Sequence, residues 1–558
     1  MTRRPRSTAR VLMVRYAPLF AVAIVIALVI AVLGDGSNTA RTRAIIGRAP
    51  VTFDEATARG TAGRIDWGPQ CDTSLGRVAV PFWYAPPCVK PWHGNNGGAT
   101  APGVTSSEIT VVSYESQPDL LQQSFFQQSG SDESLAAEFR TNQQYVDFFQ
   151  SHYEMYGRKV HLIAFKATGA PDDDVAAKAD AIKVATELHA FASFGGPGQT
   201  PAYAETLAAH GVLCLGDCVI AEPASFLRRN APDVWPTLAA PEQAAEHWAA
   251  FVGRSLAGRK AIHAGDPKLR RRTRRFGIVH YDDSSGTFTR SFDHFAKLLR
   301  PYHVHIATAI PYQLDLAKAQ ESARTIIAEL KDAHVTSVVL AGDPIFPGYL
   351  TREATAQGYF PEWVLMGYAY TDTAVFGRTY DQRQWAHAFG VSLLPTRQTD
   401  AVDEFASVVK WQSGREPIAS TFRALMQSPL IFFTGVHLAG PDLTPATFRR
   451  GLFHFPAKRP TSAPFLHLSW GRHQVWHGVD WTAGDDAVVV WWDPNATGPD
   501  EVGNAGRGMY RYALHGRRYL PGEWPRNTGL YDVRRSVTIL HSLPADAVPP
   551  SYPSPAAH

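Results

Sequence analysis

From Glu108 onward, short apolar runs bounded by Gly, Pro and Asp alternate with segments of helical period. That alternation restricts the chain to βαβ units built on parallel sheets. The runs are Ile109 to Tyr114, Val160 to Phe165, His189 to Phe194, Val212 to Leu215, Phe276 to Tyr281, His303 to Ala309, Ser337 to Ala341 and Trp363 to Met366. Each has the length of a buried strand. Between them, Leu316, Ala319, Ala323, Ile326, Ile327 and Leu330 share one helical face, and Phe288, Phe292, Phe295 and Leu299 share another behind a Thr287 N-cap. Asp172 to Leu188 is a third crossover helix, with three aspartates where the helix dipole favours them and Val175, Ala179 and Ile182 facing inward. The series is interrupted by one long helical segment, Leu238 to Leu256, and then by Lys268 to Arg275 with Arg270, Arg271, Arg272 and Arg274. The expectation is α/β: two Rossmann-like lobes, 108–253 and 254–400, joined by a hinge.

A chain of 558 residues exceeds one ordinary core, and its 45% hydrophobic and 19% charged content suits folded domains. A net charge of +3 gives no support for nucleic acid as a partner. The basic run at 268–275 lacks interleaved aromatics and reads as a solvated loop. At the N-terminus, Arg3, Arg4, Arg6, Arg10 and Arg15 precede an uncharged apolar stretch from Tyr16 to Leu33. It would reach about 27 Å as a helix, the short end of a bilayer span. We therefore expect a cytoplasmic tail (1–15), a single-pass signal-anchor (16–34) and the bulk of the chain outside the cytoplasm. Cleavage after the weak small-x-small site Asn38-Thr39-Ala40, giving a secreted protein, is the alternative. Oxidation is permitted there, and the four cysteines fall into two local pairs, Cys71 with Cys88 and Cys214 with Cys218. Zinc is the rival reading of the cysteines, but no His stands at ligand spacing beside either pair. The first pair would close an aromatic loop, Phe82 to Pro87, in a segment (35–107) that reads as linker and stapled cap. Residues 401–455 read as return crossover helices and 456–558 as an aromatic-rich C-terminal extension ending in a Pro-rich tail.

With this order of elements the chain resembles the type I periplasmic binding proteins, specifically the branched-chain amino-acid-binding-like subfamily of ABC transporter substrate-binding proteins. The match runs from about 108 to 455. It rests on the first strand Ile109 to Tyr114, the loop Phe194-Gly195-Gly196-Pro197-Gly198, Gly211 to Asp217, the passage Ala231 to Trp235 into the long helix, Phe276 to Asp283 and Val338 to Pro344. The extension looks similar to those of actinobacterial members. The resemblance implies a non-enzymatic solute-binding protein without cofactor or metal, closing its lobes by a hinge on a small molecule such as an amino acid or sugar. The partner it implies is an ABC permease. A membrane-anchored sensor or adaptor on the same fold is the first alternative, and an enzyme of unrecognised type the second. Family members commonly present a Ser/Thr-rich loop that holds a ligand carboxylate, whereas this chain offers Gly195, Gly196, Gln199 and Thr200.

Ligands of open parallel sheets lie beyond the carboxyl ends of the strands. The candidate contacts are therefore Tyr114, Glu115, Ser116, Phe194, Gly195, Gly196, Gly216 and Asp217 from the first lobe, and Tyr281, Asp282, Ser284, Gly342, Asp343, Tyr368 and Tyr370 from the second. Asp217 and Asp282 could equally cap helices, while Asp343, set by Pro344, is the favoured pocket acid. Asp485, Asp486 and Asp493 lack the spacing of a calcium loop and read as belonging to turns packed by Trp491 and Trp492. No nucleophile elbow, Walker loop, zinc-protease signature or dinucleotide fingerprint occurs.

Overall fold

The first parallel sheet is built from β1 (Glu108–Glu115), β2 (Lys159–Lys166), β3 (Ala192–Phe194), β4 (Leu213–Leu215) and β5 (Val234–Trp235), in spatial order 2-1-3-4-5. This is a computed structural model describing residues 47–117, 134–220, 222–282, 286–367, 370–456 and 464–557. The expected basic tail and signal-anchor, together with Ser284 and Tyr368, lie outside those residues. Among the described residues no helix is long and apolar enough to cross a membrane. Both sheets belong to the unit Ala49–His558.

Strand position tracks sequence texture. β1 is central and nearly all buried, whereas β2, at the edge, alternates exposed and covered residues and carries Lys at both ends. Helix α1 (Leu135–His152) starts at Ser134, whose Oγ accepts from the Ala137 N–H, and it buries Asn142, Tyr145, Phe148 and Phe149 on one face. Helix α2 (Asp174–Thr186) is capped by Asp173 but turns a different face inward from the one expected. Val175 is 79% and Ile182 47% exposed. Ala177, Asp180, Ala181 and Val184 are buried instead, because the Asp180 carboxylate is held by Tyr114 Oη (2.9 Å) and by Thr168 through its N–H (3.0 Å) and Oγ1 (2.7 Å). A buried, fully bonded aspartate outweighs two aliphatic side chains in setting the rotation of that helix.

The second sheet repeats the 2-1-3-4-5 order with β6 (Phe276–Tyr281), β7 (Ile306–Tyr312), β8 (Ser337–Ala341), β9 (Glu362–Gly367) and β10 (Ala388–Ser392), all parallel. It is then extended antiparallel by β11 (Ala487–Pro499), β12 (Ala505–Ala513), β13 (Arg518–Tyr519) and β14 (Ser536–Val537). The aromatic run Trp491-Trp492-Asp493 thus lies within a strand and not in turns. Asp493 accepts from Arg511 Nε (2.6 Å) and from the Asn495 and Ala496 N–H groups, which sets the register shift between 493 and 497. Two helix starts also differ from expectation. Gly286, with φ +66°, is the N-cap before Thr287, and the helix Ala319–Asp332 begins after the exposed Leu316. Of the basic run, Arg274 is not solvated: it is buried and forms a bidentate pair with the fully buried Glu362 (2.7 and 2.9 Å).

The chain passes between the two lobes four times, the last after β14, where the tail buries Ala547 in the first core and sets Tyr552 against Trp411 and Asp72. It leaves β5 through 236–240 for the helix Pro241–Phe251 and the π-turn Val252–Leu256, which pack in the second core. It returns after β10 to the helices Glu404–Ser413, Gln427–Ala439 and Pro445–Phe453, which pack in the first core, and it crosses again before β11. Gly484 N–H donates to the Thr237 carbonyl (3.0 Å), tying the first passage to the third. Arg518 spans the second and third through the Leu394 carbonyl (2.7 Å) and Asp486 Oδ1 (2.9 Å). Both expected disulfides form, Cys71–Cys88 and Cys214–Cys218. The stapled cap is no appendage to the first core: Phe82 is fully buried with ring centroids 6.1 Å from both Phe148 and Phe149.

Candidate ligand-binding pocket

In a sheet of order 2-1-3-4-5 the crossovers reverse direction between strands 1 and 3, so the loops after those strands splay apart and leave a crevice at their carboxyl ends. A pocket with a cavity volume of about 80 Å³ opens at that place in the first lobe. Ser113, Tyr114 and Glu115 reach it from β1, Phe194 and Gly195 from β3, and Asp217 from the loop after β4. Glu138 and Asn142 close it from α1, and Ala424, Leu425 and Ser428 close it from the return segment.

The pleat of β1 sorts its residues. Successive side chains point to opposite faces, and the Tyr114 hydroxyl is committed to Asp180 on the α2 side. Burial and the neighbouring Asp180 carboxylate push its ionisation upward, so it stays a neutral donor there. Ser113 and Glu115 share the opposite face, where Ser113 Oγ accepts from Asn142 Nδ2 at 3.1 Å. Asn142 is 4% exposed, and its Oδ1 has no hydrogen-bond partner. Glu115 is 8% exposed; burial raises its pKa, opposed by Lys166 across the β1–β2 pair. Ser116 turns back on the chain, its hydroxyl donating to the Gln117 carbonyl at 3.4 Å.

Asp217 lies inside the five-residue loop that Cys214–Cys218 closes. Burial alone pushes its carboxyl up to about 6. Its neighbour Gly216 has φ +67° and sits so close to the Ser428 hydroxyl that a Cβ would collide with it. Glycine is thus required twice over, by conformation and by space. Ser428 Oγ donates to the Leu215 carbonyl (3.0 Å), and the Gly195 and Gly216 N–H groups donate to the Leu215 and Trp235 carbonyls. Gly196 does not line the pocket; a Cβ there would press on Cys218.

Of the described second-lobe candidates, Tyr281, Asp282, Gly342 and Asp343 follow β6 and β8 at the corresponding switch point, and both aspartates are bonded within the lobe. Asp343 is 8% exposed, with Oδ1 accepting from the Ile345 (2.7 Å) and Phe346 (2.8 Å) N–H groups and Oδ2 from Tyr312 Oη (2.6 Å). It holds the start of the helix Phe346–Ala356, and burial raises its pKa against these bonds. Gly342 lies beside Tyr312 Oη and Tyr281, and Tyr281 packs on Phe288 and Tyr312. Asp282 Oδ1 accepts from Thr289 Oγ1 (2.8 Å). Tyr370 is half exposed, and its carbonyl accepts from the Thr373 N–H and Oγ1. The first-lobe pocket therefore unites Tyr114, Glu115, Phe194, Gly195 and Asp217, and none of the described second-lobe candidates lines it.

No protein-family model matches this sequence, and no curated protein matches it. Solved structures resemble it. An ABC transporter substrate-binding protein from Desulfitobacterium hafniense is 14% identical, with 72% of this chain and 100% of that chain covered and a TM-score of 0.47. A solute-binding protein of an ABC transporter from Rhodopseudomonas palustris HaA2, in complex with p-hydroxybenzoic acid, is 11% identical, covering 76% and 99%, with a TM-score of 0.48. A putative branched-chain amino acid ABC transporter from Rhodospirillum rubrum is 14% identical, covering 74% and 99%, with a TM-score of 0.44.

Sequence reading missed Ser113, Glu138, Asn142, Ala424, Leu425 and Ser428. The one local signal was Asn142, a polar residue on the apolar face of a helix that also carries Tyr145, Phe148 and Phe149.

Proposed function

We propose that this chain is an extracytoplasmic solute-binding protein, tethered by its N-terminal apolar segment, that captures a small polar molecule at the switch point of its first lobe. The second lobe swings over that ligand about the passages at 236–240, 393–403, 484–486 and 538–544, and the loaded form serves an ABC importer. The observation that carries this reading is the pocket itself: the buried Glu115 carboxylate and the unpartnered Oδ1 of Asn142 at a switch point where an open parallel sheet presents a crevice. Pairing of all four cysteines supports an oxidising compartment. A two-lobe arrangement with repeated strand order supports domain closure.

The test is thermal-shift screening of the full-length protein in detergent against amino acids, sugars, polyamines and nucleosides. A solute at 100 times its Kd stabilises the native state by about 2.7 kcal/mol. At roughly 2–4 °C per kcal/mol for a lobe of this size, that raises the melting point by about 5–11 °C. The shift should disappear in Asn142→Leu. A library without any stabilising solute, or a shift indifferent to Asn142→Leu, would remove the capture function.

A further inference from the structure

The polar groups of the pocket are unbalanced in one direction. Among the described residues three carboxylates line it, those of Glu115, Glu138 and Asp217, and no Lys, Arg or His does. Two of the backbone donors at the pocket are already used, Gly195 N–H by the Leu215 carbonyl and Gly216 N–H by the Trp235 carbonyl. One buried acceptor at the pocket, Asn142 Oδ1, is left without a partner. The Glu115 carboxylate is nine-tenths buried, and Asn142 gives its Nδ2 to Ser113 and keeps Oδ1 unbonded at the pocket. Asp217 faces the same space from the disulfide-closed loop, and burial is the sole cause of its perturbed titration.

We infer that the pocket takes the primary ammonium group of an organic amine, held by Glu115, Asp217 and Asn142 Oδ1 with Phe194 at its side, and that it rejects carboxylates. This rests on the solute-capture reading and specifies its ligand. An alkylammonium has three N–H donors and no acceptor, which matches three acceptors contributed by β1, α1 and the loop after β4. Charge-assisted bonds to the two carboxylates supply the strength, and Phe194 contributes an aromatic side chain to the lining. The cavity of about 80 Å³ admits an aminomethyl head while the remainder of the ligand extends toward the opening. A bare metal ion fits less well, because among the described residues no three His, Cys, Asp or Glu side chains converge closely enough to hold one.

Three probes of one chain length separate the possibilities: putrescine, 1,4-butanediol and succinate, added to the full-length protein in detergent and followed by calorimetric titration and melting point, with calcium chloride as a fourth arm. Putrescine should bind and stabilise, and the diol, the dianion and calcium should not. Glu115→Gln and Asp217→Asn should each weaken putrescine by about tenfold or more, the loss of one charge-assisted bond, while the unliganded Asp217→Asn protein melts no lower than the parent. Binding of succinate or the diol that depends on Asn142, with putrescine inert, would overturn the ammonium assignment and leave solute capture standing. Stabilisation by calcium in place of putrescine would likewise overturn it. Silence from these probes and from the whole screening library would remove both readings together.

Discussion

Substituting Glu362 by Gln tests whether the second lobe is held together at the end of its sheet opposite the ligand side. Glu362 begins β9, flanked in register by Ser337 of β8, which itself pairs with Phe276 of β6. Fully buried, its carboxylate accepts from Arg274 Nε (2.7 Å) and Nη2 (2.9 Å), Ser337 Oγ (2.6 Å) and the His263 N–H (3.0 Å). Glu362→Gln removes the charge and leaves the Arg274 guanidinium buried without its counterion. Breaking one side of a buried pair costs about 3–5 kcal/mol. At roughly 2–4 °C per kcal/mol the melting transition of this lobe should fall by about 6–20 °C. Differential scanning calorimetry of the full chain reads it directly. The companion variant Glu362→Leu with Arg274→Met removes both charges and should melt above Glu362→Gln alone, since no charge is then stranded. A single variant within about 1 °C of the parent, or a double variant less stable than the single, would refute this account of the pair.

The same physics sets the other expected outcomes. Asp217 is raised in the folded state to about 6 from an unfolded value near 4, so the native state holds the proton more tightly and ionisation opposes folding. Urea midpoints should therefore fall as pH rises from about 4 to about 6 and level off above, with Asp217→Asn shallowing that slope. Asp372, also raised to about 6 by burial, adds a slope of its own that persists in the variant. Phe82→Ala should cost the first lobe about 3–5 kcal/mol, because the ring fills space between Phe148, Phe149 and Phe405. Gly216→Ala, forced into a left-handed conformation against Ser428, should lower the urea midpoint by more than about 1 kcal/mol in free energy, whereas Gly63→Ala, with open space around it, should stay within about 0.5 kcal/mol of the parent.

Much of the fold is legible locally. The runs Phe276 to Tyr281 and Ser337 to Ala341 coincide with strands because buried parallel strands are continuous apolar segments bounded by breakers. What escaped local reading depends on distant partners. β5 is two residues long and exists through pairing with β4. β11 looks like a turn at Asp493-Pro494, yet β10, β12 and β13 hold it in the sheet. The inward face of α2 was decided by Tyr114, 66 residues away from Asp180. The pocket shows the same division: Glu115, Phe194, Gly195 and Asp217 come directly after or at the ends of strands and were predictable as a set. Asn142 and Ser428 arrive from a helix and a return segment whose placement no local spacing encodes. Asp343 stands at the expected topological position, with its oxygens bonded to its own helix start and to Tyr312, partners that no local spacing encodes.

The most direct measurement is the crystal structure of the full-length protein grown with putrescine. Electron density for an amine nitrogen within hydrogen-bonding distance of Glu115, Asn142 and Asp217 is the result expected if the first-lobe crevice is where solute is captured. Density for the amine beside Asp343 or elsewhere, with that crevice holding only water, would contradict it.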